Sequence, residues 1–230
     1  MFNNKYSVVS ETIGIDQKTY KLKLTLIFFC YIFMCSNRSM VTEISNFITE
    51  DERLLLLEEL TSRLDSSKIV EEPFYIWDNI KVEDLDTLNP IYNKILDRQY
   101  KTIKLETGLS DLDLDYVGFA IQTKAFPYHA DAVWPKNEED RFLGWPGQDD
   151  YKHYDGEWIG NYVADRIYTT VLYLNDNFDG GETDFPMLGK SYTPESKKLV
   201  GFYCDERHVH GVMPVKNGIR KAFICWFYKK

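Results

Sequence analysis

A mostly β fold with helices on its N-terminal side is the class the sequence predicts. Three observations carry it: two amphipathic segments ahead of residue 116, four runs of β-branched and aromatic residues from Val117 onward, and turn signals between those runs. Strand alternation alone fits a sandwich or a barrel and does not choose between them. At 230 residues and 44% hydrophobic, the chain can bury a sizeable core, and one domain with a short appendage is expected. The division reads as a leader over 1–39 and a domain over 40–230, with helical support over 40–115 and a β core over 116–230.

The leader contains "LTLIFFCYIFMC", Leu24 to Cys35, preceded by Lys21 and Lys23. Twelve apolar residues are short for a membrane span and normal for a signal-peptide core. The polar stretch before it, with Glu11 and Asp16, fits a simple signal poorly. Two readings stand: a signal or N-terminal membrane anchor, which implies a secretory or membrane location, or an accessory extension ahead of Met40, which leaves the protein cytoplasmic.

The first helix begins at Thr49, an N-cap with Glu52 three residues on, and its leucine-rich run reaches about Leu64. The second lies within "LDTLNPIYNKILDRQYKTI", where Pro90 suits a first turn and Ile91, Ile95 and Leu96 share a face. Strands follow in "YVGFAIQTKAF", "RIYTTVLYLN", "KKLVGFYCD" and "KAFICWFYK". "NDNFDGG" is a turn cluster in which Gly180 and Gly181 permit a tight connection, and Asn217-Gly218 is a strong hairpin signal. Between the first two strands lies a long insertion, residues 132 to about 165. It is rich in acids such as Glu138, Glu139, Asp140, Asp149 and Asp150, and in aromatics: Trp134, Trp145, Tyr151, Tyr154, Trp158 and Tyr162. Loops of that length are functional or disordered, and the aromatic content argues for packing.

The formal charge of −9, from 36 acidic and 27 basic residues, repels phosphate backbones, so nucleic acid is not an expected partner. Cys30, Cys35, Cys204 and Cys225 have no metal-site spacing and read as buried free thiols. A Cys204–Cys225 bridge is the alternative, since both lie in strand-like segments.

In "PYHADAVW", His129 and Asp131 are two apart, so on a strand both side chains leave one face and can converge on an ion. A facial triad for non-haem iron needs one more imidazole. "HVHGVMPVKNGIR" can supply it from His208 or His210, which share a face if the strand is regular, so parity leaves the choice open. Arg220, beyond a hairpin turn, would return on a strand beside the histidine. A guanidinium there could hold the remote carboxylate of an iron-chelating keto acid.

The region from Phe119 to Tyr228 resembles the 2-oxoglutarate/Fe(II) dioxygenase domain of collagen-type prolyl hydroxylases. The motifs are His129-x-Asp131, "YLNDNFDGGETDF", "HGVMPVKNGIR" and Trp226. "RIYTTVLYLNDNFDGG" is similar to the prolyl 3-hydroxylase (leprecan) branch, while "GGET-FP" and "PV-x-x-G" are equally similar to the 4-hydroxylases. The 4-hydroxylases carry lysine where this chain has Arg220. The resemblance implies a double-stranded β-helix, or jelly roll, with Fe(II) held by His129, Asp131 and His210, and 2-oxoglutarate anchored by Arg220. His208 then falls to a supporting or rim position. Thr169, with Thr170 as the register-shifted alternative, would line the co-substrate pocket, and Trp226, in phase with Arg220, would point into it. Tyr128 and Tyr168 are further lining candidates, and His153 reads as a surface or lid residue.

The resemblance further implies O2 and 2-oxoglutarate as co-substrates, succinate and CO2 as co-products, and ascorbate as a supporting reductant. The expected substrate is a protein or peptide, with prolyl residues and a proline-rich segment foremost, stacked against the aromatic insertion. The insertion could equally be a lid packed on its own domain. Halogenating relatives vacate the position of Asp131, so its presence favours hydroxylation. A nucleic-acid demethylase would carry a second arginine where this chain has Trp226. Hydroxylation of a small molecule or another side chain is the nearer alternative. A non-catalytic binding module would show a damaged triad or no anchor, and both are intact.

Overall fold

The computed structural model describes residues 41–63, 75–80, 82–87 and 89–230. The expected leader and the helix end at Leu64 lie outside the described residues. In chain order the strands are β1 (Val41–Ile44), β2 (Tyr75–Ile80), β3 (Leu112–Gln122), β4 (Phe126–His129), β5 (Val133–Pro135), β6 (Trp158–Gly160) and β7 (Arg166–Tyr173). Then follow β8 (Asp179–Gly180), β9 (Thr183–Phe185), β10 (Lys190–Tyr192), β11 (Leu199–Tyr203), β12 (His210–Val212), β13 (Val215–Lys216) and β14 (Arg220–Lys229). The helices are α1 (Glu50–Arg63) and α2 (Ile91–Thr107).

Both helix starts follow from the sequence. Thr49 Oγ1 accepts the Glu52 N–H at 3.2 Å while Glu52 Oε2 accepts the Thr49 N–H at 2.9 Å, a reciprocal cap. Helix α2 opens after Pro90 and stops at Gly108, whose φ of 77° lets its N–H reach back to the Lys104 carbonyl. Among the described residues no helix is long and apolar enough to cross a membrane.

The strands form a six-stranded antiparallel sheet, β1-β11-β7-β14-β3-β2, and a four-stranded one, β10-β9-β12-β4. Two short ribbons, β13-β8 and β5-β6, complete the fold. Alternation along the large sheet separates two cores. One face carries Phe119, Leu172, Phe223 and Phe227 against Leu56, Leu60, Tyr92, Ile95 and Leu96 of the helices. The other carries Ala120, Val171, Phe202 and Ile224 against the small sheet, with the Phe185 and Phe202 rings 5.0 Å apart. The site lies between the sheets, on that second face.

Two expectations change. The span 40–115, read as helical support, also contains β1 and β2, which occupy the two edges of the large sheet. Asn217-Gly218 does not close a hairpin: β13 pairs with β8, and β14 with β3 and β7. The turn instead passes the chain between sheets, packed so tightly that a Cβ on Gly218 would lie 2.5 Å from the Asn177 carbonyl. Arg220 therefore stands on the large sheet and the histidine strand on the small one. The aromatic insertion packs on the molecule: Leu143, Tyr151, Tyr154 and Trp158 join Tyr128, Ala130 and Val209. Pro146 lies where a Cβ on Gly211 would meet it at 2.5 Å, so the insertion crosses the outer face of β12. Tyr162 and Phe142 stay exposed. Cys204 and Cys225 are buried free thiols. Cys204 touches Thr169 on the inter-sheet side while Cys225 faces the helices, and opposite sides of one sheet preclude a bridge.

Candidate metal and co-substrate site

Strands β4 and β12 are neighbours in the small sheet, and their register puts His129 directly across from His210 with ring centroids 4.4 Å apart. Asp131 lies two residues past the end of β4 and turns back toward them. Its Oδ1 is 3.4 Å from His129 Nε2 and 3.9 Å from His210 Nε2. One donor atom from each residue falls within 4.8 Å of the others, the one such group among the described residues.

The outer atoms of these side chains are already engaged. His129 Nδ1 lies 3.0 Å from the Pro127 carbonyl, and His210 Nδ1 lies 2.9 Å from the His208 carbonyl. A carbonyl can only accept, so both Nδ1 atoms carry a proton, and in the neutral imidazoles both Nε2 lone pairs face inward. Asp131 Oδ2 accepts from the Thr169 hydroxyl at 2.5 Å and from Trp226 Nε1 at 2.9 Å. That leaves Oδ1 for the centre. Two imidazole nitrogens and one carboxylate oxygen, each supported from behind, fit a divalent iron and leave further positions open.

Burial opposes ionisation of Asp131, but the His129 and His210 imidazoles beside it and the Thr169 hydroxyl outweigh it and hold the carboxyl well below its usual range. Burial likewise opposes a charged His129, yet Asp131 raises its pKa above the ordinary value. His210, buried and beside His129, is pushed down to about 4 and stays neutral.

His208 does not share the face of His210, because the strand is not regular there. Asp205 caps a short 3-10 turn, Glu206–His208, and strand geometry begins only at His210. His208 is buried, not at a rim, with Nδ1 2.5 Å from Asp205 Oδ1. Its main chain supports the site through the carbonyl that fixes His210.

Arg220, first residue of β14, is 2% exposed on the inter-sheet face. Its Nε donates to the Gly181 carbonyl at 3.1 Å, Nη1 to Gln122 and Nη2 to Thr183 at 3.3 Å, and the guanidinium lies 5.0 Å from the Tyr173 ring centre. Every one of these partners is neutral. Among the described residues no carboxylate pairs with this buried cation, an arrangement that costs free energy until an anion arrives. One pocket is lined by the triad, Arg220, Thr169, Trp226, Gln122 and Thr183, with Phe126, Val171, Phe202, Val212 and Ile224 as its apolar wall.

Thr169 and Trp226 thus stand at the expected pocket, each hydrogen-bonded to Asp131. Thr170 faces the helices and bonds Gln99 at 3.0 Å. Tyr128 and Tyr168 adjoin pocket residues in sequence and so point the opposite way, to Asp184 at 2.6 Å and to Thr42 at 3.0 Å. His153 is at the surface beside Asp155 and Met187. Sequence reasoning missed Gln122 and Thr183, and gave Gly181 only a turn role. Gly181, at φ 72°, lets its carbonyl meet Arg220 where a Cβ would lie 3.3 Å from Arg220 Cδ.

A family model of the 2OG-Fe(II) oxygenase superfamily matches residues 141–228. That span holds Thr169, His210, Arg220 and Trp226, but not His129 or Asp131. Mouse (Mus musculus) prolyl 3-hydroxylase 2 is 36% identical over 67 residues, which are 27% of this chain and 10% of that protein. The chain therefore matches about a tenth of that relative's length. Among solved structures, the viral collagen prolyl hydroxylase of Paramecium Bursaria Chlorella virus-1, in its 2OG complex, superposes with a TM-score of 0.60 at 16% identity. It covers 85% of this chain and 98% of its own. A Trichoplax adhaerens prolyl hydroxylase, in complex with a hypoxia inducible factor oxygen degradation domain peptide fragment, gives 0.52 at 15% identity over 93% and 94%. At such identities the structural likeness shows the fold alone. Residues 141–228 are thus similar to the 2OG-Fe(II) oxygenase superfamily, a 67-residue stretch is similar to a prolyl 3-hydroxylase, and the fold is similar to that of a viral collagen prolyl hydroxylase.

Proposed function

We propose that this chain is a Fe(II)/2-oxoglutarate-dependent dioxygenase that hydroxylates a protein or peptide at prolyl residues, on a double-stranded β-helix whose two sheets enclose the site. The observation that carries the reading is a single pocket holding two inward Nε2 lone pairs, one free carboxylate oxygen and a buried arginine without a counter-charge. His129, Asp131 and His210 would hold the iron, and Arg220 the distal carboxylate of 2-oxoglutarate. When bound with O2, iron and keto acid supply oxidative decarboxylation to succinate and CO2 coupled to insertion of an oxygen atom into a C–H bond, with ascorbate as reductant.

The chain's own residues bind, orient and exclude water. Gln122, Thr183 and Gly181 fix the guanidinium plane, so a carboxylate meets it bidentately. Phe126, Val171, Phe202, Val212 and Ile224 keep the pocket apolar around the reacting carbon. The pocket is narrow, which suits a single side chain entering from an extended segment. Exposed Tyr162 and Phe142 on the insertion offer aromatic surface for such a segment. The prolyl hydroxylases among the relatives, one of them bound to a peptide, support a prolyl substrate.

The test is 2-oxoglutarate turnover by the Fe(II)-loaded protein over a panel of proline-rich peptides and free small molecules. Peptide-stimulated succinate formation, with one oxygen atom gained on a proline, is the expected result. Turnover stimulated only by a small molecule, or oxygen on another side chain, would move the assignment to the alternative substrates.

A further inference from the structure

Behind Asp131 lies a group that the proposed chemistry does not use. Cys204, 2% exposed, holds its sulfur 3.1 Å from Thr169 Oγ1, and that same oxygen is 2.5 Å from Asp131 Oδ2. An ionised carboxylate has no proton to give, so the proton between Thr169 and Asp131 belongs to Thr169. A hydroxyl has only one. Thr169 therefore meets the sulfur with a lone pair, and the thiol must be the donor. The chain of protons is ordered: Cys204 S–H to Thr169, Thr169 O–H to Asp131.

The backbone of Cys204 is fixed on both sides. Its N–H donates to the Ile167 carbonyl at 3.2 Å, and its carbonyl accepts from Ala132, the residue after Asp131, at 3.1 Å. The sulfur's position and the main chain beside Asp131 are thus set by one residue. Burial, with the nearby charge of Asp131, pushes the thiol pKa well up, so the donor proton stays in place at neutral pH.

We infer that Cys204 is a positioning residue for the metal carboxylate: its thiol holds the Thr169 hydroxyl proton on Asp131 Oδ2, keeping Oδ1 aimed at the centre. The inference rests on reading the pocket as a metal site. Linked donors of this kind polarise one another, and supports behind a ligand shift metal affinity measurably. A cysteine that merely filled the core would tolerate any residue of similar volume.

The experiment measures Mn(II) affinity of the full chain from the spin-resonance signal of free Mn(II), a redox-silent probe. Wild type is compared with Cys204→Val, Cys204→Ser, Thr169→Val and the Thr169→Val/Cys204→Val double variant. Cys204→Val is expected to weaken Mn(II) binding by about 3–10-fold, and Cys204→Ser, which keeps a donor, to stay within about twofold of wild type. In the Thr169→Val background, Cys204→Val should add less than about twofold, because the path to Asp131 is already cut. Melting curves without metal check folding, and Cys204→Ala replaces Cys204→Val if the latter does not fold. Equal losses in Ser and Val, no loss in either, or an undiminished loss in the Thr169→Val background would overturn the inference. Absence of Mn(II) binding by the folded wild type would instead remove the metal-site reading, and the inference with it.

Discussion

Arg220 carries a permanent charge into the pocket wall with only neutral oxygens around it. A buried cation in that state gains most from an anion it can hold with two parallel hydrogen bonds. Arg220→Gln should lose about 2–5 kcal/mol of 2-oxoglutarate affinity, a drop beyond about 30-fold, with Mn(II) affinity in the absence of 2-oxoglutarate unchanged. Calorimetric titration of 2-oxoglutarate into the Mn(II)-loaded variant reads this directly. Loss of both affinities would mean that the substitution has disturbed the whole pocket. At this scale the legible residues were those with chemistry in their identity: His129, Asp131, Arg220 and the His208/His210 pair stand out by type and spacing, and the family resemblance, not parity, singled out His210. Gln122 and Thr183 were not, because an amide and a hydroxyl are common on strands and gain meaning only from a neighbour found by folding. The family resemblance pointed to Thr169 and strand parity to Trp226, but neither foretold their bonds to Asp131, which come from a turn that leaves β4.

Among the elements, α1 depends on Glu52, which is buried and caps its own helix while receiving Arg98 at 2.8 and 2.9 Å and Lys94 at 2.8 Å. The Arg98 hydrogen bonds lead, against the cost of burial, in holding its carboxyl far below the ordinary 4.5. A carboxyl with a depressed folded pKa adds stability that is complete above its unfolded value and fades as pH falls toward the folded one. Glu52→Gln should therefore cost about 1–3 kcal/mol in urea melts at pH 7, with the gap to wild type shrinking progressively below about pH 4.5. A gap constant from pH 7 to pH 3 would show that the charge is not the source. This capping box was legible because its signal is local, a hydroxyl and a carboxyl three residues apart. Strands β1 and β2 were not, since short edge strands carry little period and gain their pairing from β11 and β3, far along the chain. The Asn217-Gly218 turn was found, but its local signal says nothing of which sheet each flanking strand joins.

For the whole molecule, the sheets and helices form three layers, and the pocket lies between two of them, away from the helices. Residues 40–230 form a compact unit that contains both cores and every pocket residue. A protein beginning at Met40 should melt cooperatively and bind Mn(II) and 2-oxoglutarate as the full chain does; a truncated form that is folded but unable to bind them would place part of the site in residues 1–39. The mostly β class was legible from composition and turn spacing, and the aromatic content argued that the insertion packs; what it packs against was not legible, because aromatics serve a lid, a core and a ligand surface alike. The central claim is that His129, Asp131 and His210 hold iron in reach of a keto acid anchored by Arg220. The most direct test is anaerobic: add Fe(II) and 2-oxoglutarate to the protein and record the weak visible charge-transfer band of an iron–keto-acid chelate, comparing wild type with His210→Ala and His208→Ala. The account predicts a band in wild type, its loss in His210→Ala and its survival in folded His208→Ala, whose main-chain carbonyl still meets residue 210. A folded wild type with no band would contradict it.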